Sequence, residues 1–223
     1  MAEQSFRLRI NYQKRGRLSY LSHLEMTRAM ERLVRRAQLP YATSNGFNVH
    51  MKHAFGPALP VGTTSLDEYF DVWLTDYLSA DELLSRLQQV SALDLPVLGV
   101  RYVAPNAEAL QVSHVLSSYE LVLASTGVSL DAAQAAFDSM VAIGVLDVPK
   151  KNKIKRYDLK SMIPSRIKVL PHDTQTERFK VLLQIKSDQS GSVKPEQLLK
   201  ASFPNNELTL ISSTRTRLEP FLP

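Results

Sequence analysis

The sequence predicts an α+β protein of two tandem modules, each packing helices on an antiparallel sheet. Three observations predict it. Apolar residues alternate with polar ones in short runs through the chain, as half-buried strands require. Between those runs lie segments with apolar residues at helical spacing, several opened by a capping signal. The order strand–helix–strand–strand–helix–strand in the first half recurs in the second. That order is a split βαβ unit, the ferredoxin-like pattern. A chain of 223 residues has room for two such modules, placed at 1–104 and 115–223, with Val103–His114 as an aperiodic linker.

In the first module, Phe6, Leu8, Ile10 and Tyr12 alternate with Arg7, Arg9, Asn11 and Gln13, which defines a strand with one core face. Ser22-His23-Leu24-Glu25 has the spacing of a capping box and opens a helix. Met26, Met30, Leu33, Val34 and Ala37 form its apolar face, Arg28, Arg32 and Arg35 the opposite one, and Pro40 marks its end. A loop containing glycine and proline runs from Ser44 to Gly62 and leaves open whether it holds a strand. Glu68–Leu74 reads as a strand, Asp81–Val90 as a helix capped by Ser79, and Val97–Val103 as a strand.

In the second module, Tyr119, Leu121 and Leu123 alternate as a strand, and Leu130–Ile143 is an alanine-rich helix. Lys153–Tyr157 and Arg166–Leu170 read as strands or a hairpin around Pro164. Phe179, Val181, Leu183 and Ile185 alternate cleanly. Lys194–Ser202 is a short helix with Pro195 in its first turn, and Leu208–Leu218 is the last strand.

Charge is segregated along the chain. Residues 1–56 carry ten Lys/Arg against three Asp/Glu, residues 57–149 two against twelve, and residues 150–223 fifteen against seven. Basic ends around an acidic middle attract and steer phosphates. The sequence contains no cysteine, which excludes disulfides, cysteine-ligated metals and thiol nucleophiles. No apolar run reaches the roughly 18 residues of a membrane span, and the N-terminus lacks a signal-peptide core. A cytoplasmic location with no membrane partner is the expectation.

The cationic candidates for a nucleic-acid surface are Arg7 and Arg9 on the first strand, Arg28, Arg32 and Arg35 on the helix, Lys52, the run Lys150, Lys151, Lys153, Lys155 and Arg156, and Arg215 near the end. Guanidinium groups bind phosphate bidentately and keep their charge. Lys153, Lys155 and Tyr157 share one strand face, and cations beside an aromatic suit a single strand. No exposed-aromatic motif of a standard RNA-recognition module is present. His23, His50 and His53 are the candidate acid–base groups, although their spacing reveals neither a nucleophile nor a proton path. No metal site or cofactor is read from them.

These residues carry a resemblance. The chain resembles the radical-SAM-linked protein family, a domain of unknown function found fused to, or encoded beside, radical SAM proteins. The family's Ser-His-x-Asp helix start is matched at Ser22, His23 and Glu25. Its Gly-Phe-x-Pro-His-Pro loop is matched at Gly46, Phe47 and His50, and its Leu-Pro-x-Gly turn at Leu59, Pro60 and Gly62. Ser65, Glu68, Tyr69 and Asp71 match a later motif, and Thr214, Arg215, Thr216 and Leu218 a C-terminal one. Val49 and Met51 stand where the family has proline, and Glu25 where it has aspartate.

Without the three-cysteine motif, the chain cannot perform radical SAM chemistry itself. The resemblance implies an RNA-binding accessory of a separate radical SAM enzyme acting on tRNA or rRNA. Two other readings stay open. One is a metal-independent endoribonuclease using histidines, by analogy of fold pattern with CRISPR repeat-cleaving enzymes. The other is a protein-interaction module without RNA. For the motif loop the expectation is a fold back onto the Ser22 helix. His23, His50 and Lys52 would then share an anion pocket, with Phe47 anchored in the core.

Overall fold

The structure is a computed structural model that describes residues 5–44, 47–150, 153–172, 178–188 and 191–220. It is a mixed α+β fold that divides into two compact units, Met1–His114 and Val115–Pro223. No helix among the described residues is long and apolar enough to cross a membrane.

The first unit runs β1 (Phe6–Lys14), a 3-10 turn (Gly16–Tyr20), α1 (His23–Arg36), β2 (His53–Phe55), β3 (Thr64–Leu74), α2 (Ala80–Val90), β4 (Val97–Val103) and the single-turn helix α3 (Leu110–Ser113). The strands lie in the order β4-β1-β3-β2, every neighbour antiparallel. Leu8 and Ile10 of β1 oppose Val72 and Phe70 of β3. Together with Leu74 they form the buried face on which Met26, Met30, Leu33 and Val34 of α1 and Leu83 and Leu87 of α2 pack. The alternation read from the sequence is therefore the core face. Strand β3 begins at Thr64, earlier than Glu68, and a register shift against β1 between Tyr12 and Lys14 changes its phase there, so that Ser65 is buried and Leu66 exposed.

Helix α1 starts where its chemistry dictates. The Ser22 hydroxyl accepts from the Glu25 amide at 3.4 Å, and the Ser22 amide donates back to the Glu25 carboxylate at 2.8 Å. That reciprocal pair satisfies two donors which the first turn leaves without helical partners. The Ser22 bonds also hold the Glu25 carboxyl below its ordinary range. Ser79 caps α2 without the reciprocal bond, its hydroxyl accepting from the Glu82 amide at 3.2 Å.

The second unit runs β5 (Leu116–Ser125), α4 (Leu130–Ile143), β6 (Val145–Lys150), β7 (Lys153–Asp158), α5 (Leu159–Met162), β8 (Lys168–Pro171), β9 (Arg178–Lys186), α6 (Pro195–Ser202) and β10 (Leu208–Glu219). Its sheet has the order β10-β5-β9-β8, again antiparallel. Phe137 of α4 meets Phe203 after α6 edge to face, with ring centres 5.5 Å apart.

One pairing differs from expectation. Lys153–Tyr157 does not form a hairpin with the segment after Pro164; β7 pairs with β6, and β8 pairs with β9. β6 escaped the sequence reading because Val-Leu-Asp-Val-Pro-Lys has no long alternation and contains proline, which is confined to edges or first positions in strands. Residues 104–114, read as a linker, belong to the first unit and bury Leu110 and His114.

Replacing Ser22 with Ala removes a cap while leaving the apolar stripe of α1 untouched. The expected loss is about 1 kcal/mol, read as a lower urea midpoint with an unchanged slope.

Candidate nucleic-acid interface

Both faces of β1 are buried, one apolar and the other charged. On the face away from α1 and α2, Arg7 opposes Trp73, Arg9 opposes Asp71 and Asn11 opposes Tyr69. Arg7 and Arg9 retain only 4% and 5% of their exposure, and Asp71 none. Arg9 grips Asp71 with two bonds, Nε to Oδ1 at 2.8 Å and Nη2 to Oδ2 at 3.0 Å. Arg7 donates from Nε to the same carboxylate at 2.9 Å, and its remaining nitrogens donate to the carbonyls of Ala107 and Glu108. Trp73 lies beneath two cations, with the Arg7 guanidinium 5.0 Å and the Lys52 ammonium 5.1 Å from its ring centre.

Arg7 and Arg9 are therefore not open to an RNA surface as expected: the donors of Arg7 go to Asp71 and the carbonyls of Ala107 and Glu108, and Arg9 gives Nε and Nη2 to Asp71. Arg215 is corrected for the same reason. It is fully buried, with Nη1 donating to the Ser117 hydroxyl at 3.3 Å. Register shifts between Leu210 and Ser212, and between Arg215 and Arg217, displace it from the phase that simple alternation gives.

Near Arg9 lie two groups with displaced acidities. Burial and the adjacent Asp67 push the Tyr69 hydroxyl up to about 12. Burial, then Arg9 and Arg101, push His114 below its ordinary value, against the opposing pull of Asp71 and Asp67. The His114 ring packs against Tyr69 with centres 4.9 Å apart.

The helix arginines behave otherwise. Arg28, Arg32 and Arg35 are exposed on the side of α1 opposite its buried stripe. Among the described residues Arg28 and Arg32 make neither a hydrogen bond nor an ion pair, whereas Arg35 reaches Glu31 at 3.3 Å and lies 5.8 Å from the Tyr41 ring centre. In the second unit, Lys150 and Lys153 are exposed and directly opposed across the β6–β7 hairpin. The Lys155 ammonium sits 4.7 Å from the Tyr157 ring centre. Arg156 is clamped by both oxygens of Asp147, at 2.8 and 2.7 Å. Lys151 lies outside the described residues.

The motif residues do not assemble as expected. His23 lies over Phe55 edge to face, with centres 5.0 Å apart. It borders a cleft with Tyr12, Lys14, Met26, Phe55, Leu59 and Glu68 that includes neither His50 nor Lys52. At about 20 Å³ the cleft has room for about one water, so it is too small for a phosphate. The chain from Met51 pairs back on Thr43, and Ser44 bonds to His50 through both its amide and its hydroxyl. That leaves His50 exposed in the loop.

Phe47 is fully exposed, which corrects its expected role as a core anchor; Gly46 lies outside the described residues. The aromatic neighbour of His23 through Phe55 is His53, whose ring stacks on Phe70 at 5.5 Å and whose Nδ1 bonds the Met51 carbonyl at 2.9 Å. The cleft also holds two buried charges, Lys14, which the sequence reading missed, and Glu68, which it knew only as a motif position. Lys14 donates to the carbonyls of Ser19 and Leu21 and ties down the 3-10 turn. The signal was present: Lys14 and Glu68 continue the apolar phases of β1 and β3.

Fold and surface together define a mixed α+β protein with exposed cations on one helix and one hairpin. The chain belongs to the family of uncharacterized proteins conserved in bacteria designated DUF2344, matched over residues 7–195. No curated protein matches it. Among solved structures it is similar to an unknown protein from Galdieria sulphuraria, with 10% identity, a TM-score of 0.27, and coverage of 98% of this chain and 100% of that one. A putative glycine cleavage system transcriptional repressor also matches at 10% identity and a TM-score of 0.23, over 93% of this chain and 98% of its own. Neither score establishes a shared fold.

Asp71→Asn leaves two buried guanidiniums without a counter-charge. It should cost about 3–5 kcal/mol, measured by denaturant unfolding, while Arg32→Gln stays within about 0.5 kcal/mol of the parent. The depressed His114 makes a second expectation. Its contribution to stability is present above the unfolded value of about 6.5 and is lost as pH falls through the lower folded one. The melting temperature should therefore drop as the pH falls from about 6.5 through the lower folded value, and His114→Gln should flatten the dependence.

Proposed function

We propose that this protein binds RNA, as a non-catalytic accessory of a separate cytoplasmic radical SAM enzyme that modifies tRNA or rRNA. The observation that carries the reading is the division among its cations. Arg7, Arg9 and Arg215 are buried and bonded within the protein, whereas Arg28, Arg32, Lys52, Lys150 and Lys153 are exposed. Opposed lysines at a hairpin repel each other, and a polyanion relieves that repulsion while releasing its own counterions. We read both units as ferredoxin-like modules; their antiparallel orders, β4-β1-β3-β2 and β10-β5-β9-β8, support this. The radical SAM partnership rests on the motif resemblance. A nuclease reading has less support, because the cleft that His23 borders does not include His50.

The test is binding of tRNA and of a single-stranded oligoribonucleotide by fluorescence anisotropy across a salt series. Affinity should fall linearly on logarithmic axes, and the double variants Arg28→Glu/Arg32→Glu and Lys153→Glu/Lys155→Glu should each weaken it about tenfold or more, with a shallower salt slope. Unchanged affinity in both variants would sink the assignment, and absence of binding by the parent would favour a protein partner instead. RNA recovered intact after metal-free incubation is the expected result; cleavage would transfer the reading to a nuclease.

A further inference from the structure

Strand β4 carries a glycine that neither its backbone nor its packing requires. Gly99 is not among the positive-φ glycines, and a Cβ built on it would meet nothing within 4 Å. Glycine weakens a strand interior and often marks a place where a ligand approaches closely. Gly99 opposes Asn11, and two residues along β4 Arg101 opposes Arg9. Above them lies a depression of about 240 Å³ bordered by Arg9, Asn11, Tyr69, Gly99, Val100 and Arg101. That is slightly below the volume of most small-molecule sites and suits a compact headgroup.

The charges around it do not balance. Like charges directly opposed on neighbouring strands repel, and the carboxylate facing Arg9 is already shared with Arg7. Arg101 is exposed and makes no ion pair among the described residues. Arg9, 5% exposed, gives Nε and Nη2 to Asp71, and its Nη1 makes no hydrogen bond among those residues. The neighbouring carboxylate Asp67 accepts from the Asn11 amide at 2.8 Å and bonds the Tyr69 hydroxyl.

We propose that this depression binds a phosphate-bearing ligand, with the phosphoryl group seated over Gly99 and held between Arg9 and Arg101. Guanidinium donors match phosphate oxygens in geometry and charge, and the anion supplies the counter-charge that the row Asp71–Arg9–Arg101 lacks. The site shares no residue with the exposed cations of α1 and the β6–β7 hairpin and does not depend on their binding RNA.

The full chain is titrated calorimetrically at low ionic strength with inorganic phosphate and with adenosine 5′-monophosphate. The variants are Gly99→Val, which fills the depression with a residue suited to strands, and Arg101→Gln, which removes the exposed charge without touching the core. Saturable binding of either probe by the parent, weakened about tenfold or more in Arg101→Gln and in Gly99→Val where it folds, is the expected result. Binding of both probes identifies a site for the phosphoryl group itself; binding of the nucleotide alone identifies one that also reads the nucleoside. Lys153→Glu/Lys155→Glu should bind the probe like the parent, so failure of the RNA reading leaves this result standing. No saturable binding of either probe by the parent, or parental affinity in Arg101→Gln, overturns the proposal.

Discussion

A single carboxylate is shared by two guanidiniums on a sheet face that would otherwise be hydrated. Asp71 accepts from both Arg7 and Arg9, and all three are withdrawn from water. Burying charge is tolerable only when the remaining donors are also satisfied. This is why Arg7 reaches the carbonyls of Ala107 and Glu108: the 104–114 segment is held down by donors that Asp71 leaves over. Closure of that segment then buries Leu110 and His114. One interaction thus fixes the β1–β3 pairing, the cover on its second face and the excess of positive charge there.

Much of the fold was legible because its local signals agree. The Ser22–Glu25 box, the Met26–Met30–Leu33 stripe and the alternation of β1 and β9 each specify one conformation, and the structure adopts it. The short elements were harder. β2 has three residues, too few for any period to declare itself, and its place depends on pairing with β3. β6 is short, carries proline and is recognisable only through its partner.

The site was less legible than the fold. Alternation placed Arg7 and Arg9 correctly off the core face, but it carries no information about whether a distant segment covers that face. The removal of Arg7 from solvent depends on residues about a hundred positions away. Asp71 shares their phase across the β1–β3 pair and was the available clue, hidden because acidic residues are abundant in that region. Helix α1 was easier: an arginine opposite a five-residue apolar stripe has nowhere to go but solvent. The motif positions around His23 turn out to shape the start of α1. Ser22 and Glu25 cap the helix, and Gly62, in the left-handed region at φ +88, donates to the Ser19 carbonyl and closes the turn beside it.

The β6–β7 hairpin pairs with no other strand among the described residues, and its two ends meet at its base, where the Leu159 amide donates to the Gly144 carbonyl at 2.9 Å. An element whose entry and exit coincide is an insertion in the topological sense. Lengthening, shortening or exchanging it leaves the register of β5, β8, β9 and β10 untouched, since none of their ladder bonds passes through it. The hairpin is therefore the part of the second unit free to diverge in length and charge under selection, a detachable cassette on a frame that need not change with it.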